Sequence, residues 1–225
     1  MKRYMILLIA FLFVLTIGKA GAAFEGYTVI AKSEKDVITI YAKKSGGLYR
    51  DFRIDFKGET YFRPFWMNVT NPAYAPQIIY DDINKDQKKE LIIVLTLGYG
   101  TGALVQEVYV YTYTNGLVDV LVDNPMAIIH KNVKTKLTNK NAEITVGEKV
   151  YQVDLTPLDD KPTNFFEDIA FGGYIRYEVT DHQLTATVSA QISPAAFIGE
   201  LVITYEYRDN MFQAKSIELH PAPNL

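Results

Sequence analysis

The chain has 225 residues, of which 48% are hydrophobic and 22% charged, with 26 acidic residues against 23 basic ones. This balance excludes an intrinsically disordered chain and gives enough length for a sizeable core in one large or two small domains. The acidic excess argues against a nucleic-acid partner, and the absence of cysteine excludes disulfides and an acylated lipoprotein cysteine.

The N-terminus reads as a targeting segment. Lys2 and Arg3 precede an apolar run from Met5 to Ile17, too short to span a bilayer comfortably, and Ala20-Gly21-Ala22 supplies small residues before a cleavage point. Residues 1–22 are therefore expected to be a signal peptide cut between Ala22 and Ala23, with an uncleaved membrane anchor as the alternative. Cleavage removes Lys2, Arg3 and Lys19 and no acid, so the exported part is more acidic than the whole.

Residues 23–225 then read as mostly strand. Aromatics make up 13% of the chain, chiefly Tyr and Phe, a composition that favours strands. Tyr27 to Ile30 and Val37 to Ala42 are short strand candidates. Tyr49 to Phe56 alternates, with Phe52, Ile54 and Phe56 on one face and Asp51, Arg53 and Asp55 on the other. Pro64 demotes Tyr61 to Met67 to an edge or broken strand, and Asn68 to Pro76 reads as an irregular loop. Asn68-Val69-Thr70 also matches a glycosylation acceptor, a short pattern common by chance.

Gln77 to Tyr80 enters an acidic loop and Leu91 to Leu97 leaves it, as a continuous apolar run expected to be central and covered on both faces. Leu104 to Thr114 alternates over a long span and Leu117 to Val122 returns after Asn115-Gly116, read as a type I′ hairpin turn. Residues 77–122 are thus expected to form one antiparallel meander. Asp123 to Lys131 predicts a short helix capped by Asp123 or Asn124, with Pro125 in its first turn. Val133 to Leu137, Ala142 to Val146 and Val150 to Leu155 predict strands, and Asn164 to Ala170 a single helical turn. Gly172-Gly173 is read as an interruption before Tyr174 to Thr180. That strand pairs with Gln183 to Gln191 around Asp181-His182, and Phe197 to Tyr207 pairs with Met211 to Leu219 around Asp209-Asn210. No linker marks a domain boundary; 123–133 is a weak candidate for one.

One stretch carries identifiable chemistry. Asp82, Asn84, Asp86 and Glu90 fall at relative positions 1, 3, 5 and 9 of the loop, and Lys88 at position 7 has a backbone carbonyl to offer. Alternating oxygen donors in a tight loop suit calcium, which takes six to eight oxygens. Position 12, where the helix–loop–helix calcium site needs a bidentate acid, is Ile93, so the loop is not of that kind. The same residues also make an Asx-rich turn without a metal.

The segment Asp82-Ile83-Asn84-Lys85-Asp86-Gln87-Lys88-Lys89-Glu90-Leu91 resembles the calcium loop of FG-GAP/VCBS-type repeats, found in β-propellers and in many exported bacterial proteins. The resemblance implies an inter-strand calcium loop in an adhesive or binding context, not an enzyme. Two departures weaken it. The family has glycine at the sixth position, where φ is positive; here Gln87 stands, at a cost of about 1 kcal/mol. Lys85, Lys88 and Lys89 also reduce the negative field. A single copy argues against a complete propeller, which needs several blades.

Other candidates have ordinary readings. Gly98, Gly100 and Gly102 precede a strand rather than a helix, so they form a hairpin connection that shapes a ligand mouth at most, not a phosphate loop. His130, His182 and His220 lack zinc spacing, with His182 expected to be exposed in its turn. Asp159-Asp160 and Glu167-Asp168 are the only acid clusters offered for a hydrolase, with Glu107. Tyr109, Tyr111 and Tyr113 form a stripe expected to be a half-buried sheet face, with a binding platform as the alternative.

The sequence therefore predicts a mainly β, sandwich-like single domain built on an antiparallel meander with a few short helices. The expected function is an exported, non-catalytic binding protein with one structural calcium, whose partner is a protein or polysaccharide at the cell surface. An envelope hydrolase and a metal-free structural or inhibitory protein are the alternatives.

Overall fold

The structure, a computed structural model, describes residues 25–158 and 164–222. The signal-peptide reading of 1–22 and the acids Asp159 and Asp160 lie outside the described residues. Within them the chain is a single, mainly β domain built from three sheets and one α-helix, and it forms neither a propeller nor a closed barrel.

The first layer is a five-stranded sheet of β1 (Thr28–Ser33), β2 (Ile38–Ser45), β3 (Leu48–Phe56), β4 (Glu59–Arg63) and the two-residue β5 (Asn68–Val69). β4 is an edge strand that stops one residue before Pro64, as the missing amide of proline requires. The central layer has eight strands. β6 (Gln77–Asp81), β7 (Glu90–Gly100), β8 (Ala103–Tyr113) and β9 (Leu117–Val122) form the expected meander. β13 (Ala170–Thr180), β14 (Gln183–Gln191), β15 (Phe197–Arg208) and β16 (Met211–Pro221) complete the sheet. The third layer is a three-stranded sheet of β10 (Val133–Leu137), β11 (Asn141–Val146) and β12 (Lys149–Asp154), together with helix α1 (Pro125–Asn132).

β7 takes part in both cores. Leu91, Ile93 and Leu95 pack into one core with Ile38, Ile40, Phe52, Ile54 and Phe56 of the first sheet. Ile92 and Val94 pack into the other, with Ile128, Ile144, Val188, Leu201 and Ile203. A strand buried on both faces has no polar positions to alternate with, and each such side chain contributes about 2 kcal/mol. The tyrosine stripe lies in the first of these cores: Tyr109 packs 4.4 Å from Trp66 and Tyr113 5.6 Å from Phe56, centroid to centroid. Tyr111 is fully buried and its hydroxyl accepts from Arg63 Nε at 2.9 Å.

The helix starts two residues inside its expected range and ends one residue beyond it. The Asn124 side chain caps it, accepting from the amides of Met126 (2.8 Å) and Ala127 (3.2 Å), with Pro125 as the first helical residue. The second core takes residues from both sides of 123–133, so α1 joins the layers there.

Several local expectations give way. Asn115-Gly116 does connect β8 and β9, but only Gly116 has a positive φ (143°), so the turn is not type I′. The pairing of Tyr113 with Leu117 leaves three residues in the loop, and a longer loop does not need two left-handed positions. Type I′ geometry appears instead at Asp181-His182 and Asp209-Asn210, each with φ of 51° and 61°. Of the helical turn expected over 164–170, only Asn164 is helical, in a 3-10 turn; residues 165–169 are irregular, with a bend at Glu167-Asp168. Gly172-Gly173 does not interrupt its strand either: β13 runs through them as a bulge, with register shifting between Phe171 and Ile175. Finally, β8 pairs in parallel with β13, and β9 in parallel with β16, so the central sheet curls back on itself.

Candidate functional site: the β6–β7 loop and the recesses at the opposite end of the sheet

β6 and β7 are closed by the pair Asp81 and Glu90, and the acidic loop hangs between them. Its backbone winds around its own side chains. Asp82 Oδ1 accepts from the Asp86 amide (3.1 Å) and Oδ2 from the Gln87 amide (3.0 Å). Asn84 Oδ1 accepts from the Asp86 amide (2.9 Å), and Asp86 Oδ1 from the Lys88 amide (2.8 Å). Lys85 and Gln87 take positive φ of 65° and 70°. Gln87 thus adopts the left-handed conformation in the position where glycine would be free of strain. Ile83 is buried in the second core and pins the loop to the domain.

Glu90 behaves differently from the other acids. Its side chain is buried, with Oε2 accepting from the amides of Ile83 (3.1 Å) and Asn84 (3.2 Å) and Oε1 from Asn84 Nδ2 (3.0 Å). Burial pushes its carboxyl up to about 7; the amide bonds oppose that shift, and the Asp86 and Asp82 charges add to it.

Asp82, Asn84 and Asp86 have the all-oxygen chemistry that a hard cation requires, and their oxygens keep lone pairs beyond these amide bonds. Glu90 fits in charge but is turned onto the loop amides. Among the described residues no group of three or more His, Cys, Asp or Glu is gathered closely enough to hold a metal ion. Lys88 is exposed, and Lys89 Nζ lies 5.5 Å from the Tyr80 ring centre. His182 is exposed in its turn, yet its Nδ1 meets Asp81 Oδ1 at 2.8 Å and ties the β13–β14 hairpin to the base of the loop. No sequence signal joins those two residues, which stand 101 positions apart.

The glycosylation match has another use. Asn68 is fully buried; its Nδ2 donates to the carbonyls of Val69 (2.7 Å) and Tyr74 (2.9 Å), and its Oδ1 accepts from the Thr96 amide (2.7 Å). β6 pairs with β7 only as far as Val94, so Asn68 serves as the missing strand partner of Thr96. A buried amide nitrogen with both bonds made has no room for a glycan.

Among the described acids considered for hydrolysis, Glu107 and Asp168 are each held by partners of their own. Glu107 is exposed and accepts from the Tyr109 hydroxyl (2.7 Å). Asp168 is engaged by the Thr135 hydroxyl (2.7 Å) and the Ile169 amide (2.7 Å). His130 sits exposed on α1 and His220 on β16.

At the far end of β7 from the acidic loop, the glycine-rich β7–β8 connection lines two adjoining recesses. One, of about 450 Å³, lies between Gly102, Tyr174, Ser189, Phe197, Glu200 and His220. The other, of about 400 Å³, shares Gly102 and Tyr174 with it and extends to Tyr74, Gln77 and Arg176. Gly102 has φ of +69°, and a Cβ there would stand 3.1 Å from the Phe197 ring, so only glycine fits this approach. A larger recess of about 530 Å³ lies between α1 and β16. Of its polar groups, Arg208 is engaged with Gln213 and Glu206, and Asn124 with the helix amides.

Comparisons with protein-family models, with curated proteins and with solved structures found no match to this chain.

Proposed function

We propose that the chain is an exported, non-catalytic binding protein of the cell envelope, with one structural calcium in its β6–β7 loop. The observation that carries this reading is the donor set itself. Asp82, Asn84 and Asp86 present oxygens from alternate positions of a loop that winds around them, between two strands of the central meander. The loop's similarity to FG-GAP/VCBS calcium loops supports the same reading, and the apolar segment ending in Ala20-Gly21-Ala22 supports export. The residues to hold the ion are Asp82, Asn84, Asp86, the Lys88 carbonyl and Glu90, which the ion would have to draw together from the self-bonded arrangement of the loop. The ion would supply positive charge that offsets the repulsion among the three carboxylates and would clip the ends of β6 and β7 together. The partner is a protein or polysaccharide of the cell surface.

A thermal or chemical melt tests the metal. Calcium at about 100 times its dissociation constant should add about 2.7 kcal/mol of stability. Asp86→Ala should lose most of that increment while folding normally in chelator, and elemental analysis of the purified protein should find calcium. A melt indifferent to both calcium and chelator would leave a self-bonded turn and no metal site.

A further inference from the structure

We propose that the recess between the outer face of β14–β16 and the tip of the β7–β8 hairpin binds a neutral sugar ring, as one subsite of an oligosaccharide groove. The assignment rests on the reading of the chain as an envelope binding protein and narrows its partner to a glycan.

The starting point is Ser189. It sits on the outer face of β14, cross-strand from Glu200 of β15, which in turn stands cross-strand from His220 of β16. Its side chain is 4% exposed, lines the recess, and its Oγ has no hydrogen-bond partner. A buried hydroxyl without a partner is costly, and native folds rarely keep one without a use. The bulge in β13 explains how it arises: Phe171 pairs with Ala190 and Ile175 with Val188, so Gly172, Gly173 and Tyr174 arch past Ser189 and leave its position open.

The rest of the lining limits what can fill the space. Tyr174, Phe197 and Pro221 present ring surfaces, while Glu200 and His220 are exposed polar groups at the rim. A ligand must therefore carry an apolar face and a hydrogen-bonding edge. Glu200 at the rim disfavours an anion, and the nearby Arg176 is already paired with Glu178. A pyranose meets these terms: its C–H face lies on rings, and its hydroxyls reach Ser189, Glu200 and His220. The volume of about 450 Å³ falls in the range of small-molecule sites, and the adjoining recess of about 400 Å³, with Tyr74, Gln77 and Arg176, continues the groove to a second ring. An extended peptide would take its affinity from a free strand edge. Here β14 and β15, which carry Ser189 and Glu200, are each paired on both sides, so the floor of the recess is a sheet face without such an edge.

The test is a titration of the isotope-labelled, intact exported chain with short neutral oligomers of glucose, N-acetylglucosamine, xylose and mannose. Oligogalacturonate and a pool of random short peptides are titrated in parallel. At least one neutral oligomer should shift the amides of Gly102, Tyr174 and Gly199. Ser189→Ala should melt at or above the parent temperature, because Oγ makes no bond in the fold, yet bind about five- to tenfold more weakly. Tyr174→Ala, a rim substitution, should weaken binding at least as much. Parent-like affinity in both variants, shifts only with peptides or only with the acidic oligomer, or no shift with any neutral oligomer would each overturn the sugar assignment. Retention of the chain on envelope fragments, together with silence toward every oligomer, would overturn it alone. Silence toward both would remove the binding-protein reading as well.

Discussion

Asn68→Ala should destabilise the fold by about 4 kcal/mol, measured as a lowered denaturant midpoint with an unchanged slope. Three bonds are lost at once, to the Thr96 amide and to the carbonyls of Val69 and Tyr74, and the side chain that makes them is fully buried. The orphaned groups are main-chain atoms next to β7, the strand that both cores share. Water cannot replace Asn68 without opening that junction, so much of the desolvation cost of each group appears in the measured stability. Thr70→Ala supplies the contrast. It destroys the same acceptor pattern but touches none of the three bonds, and should cost less than about 1 kcal/mol. Equal losses in the two variants would refute the role given to Asn68, as would a parent-like midpoint for Asn68→Ala.

Calcium-free protein should gain stability as pH falls from about 8 to about 5, by about 3 kcal/mol from Glu90 alone. The folded carboxyl titrates near 7 because it is buried, above its ordinary value of 4.5. Between those values the folded state holds a proton that the unfolded chain has released. Stability from this group is therefore fully present below the lower value and is lost as pH rises through the upper one. Glu90→Gln should remove that part of the slope, so the quantity to compare is the difference between the two pH profiles in chelator. Calcium should act in the opposite direction, because a divalent ion beside Glu90 favours its charged form, and should stabilise the protein most at the alkaline end. Superimposable pH profiles for the parent and Glu90→Gln would show that Glu90 titrates near its ordinary range and that its burial has no thermodynamic consequence.

These two residues also show where local sequence stops being informative. Asn68 and Glu90 both stood in recognisable patterns, a glycan acceptor and a calcium loop. Each pattern describes side-chain types at a spacing and says nothing of what lies opposite them. The partner of Asn68 is the amide of Thr96, 28 positions away, and it needs one only because β6 stops pairing at Val94. Glu90 is buried because the loop folds back over it and Ile83 is drawn into the core. Neither circumstance leaves a mark in the neighbouring residues.

The sequence by itself determined what depends on neighbours along the chain. The uninterrupted run from Leu91 to Leu95 required burial on both faces, the alternation of Phe52, Ile54 and Phe56 required a half-buried strand, and Asn124 with Pro125 required a helix start. Paired turn residues at Asp181-His182 and Asp209-Asn210 fixed two hairpins for the same reason, since positive φ is a local demand. The tertiary structure alone decided what depends on distant partners: the parallel joins of β8 to β13 and β9 to β16, the His182–Asp81 contact, and the unpartnered hydroxyl of Ser189. Pairing across a hundred residues is selected by the global fit of whole sheets, and no single segment's composition encodes it. The acidic loop belongs to both classes: its oxygen spacing is written in the chain, while the inward turn of Glu90 is set by the core beneath it.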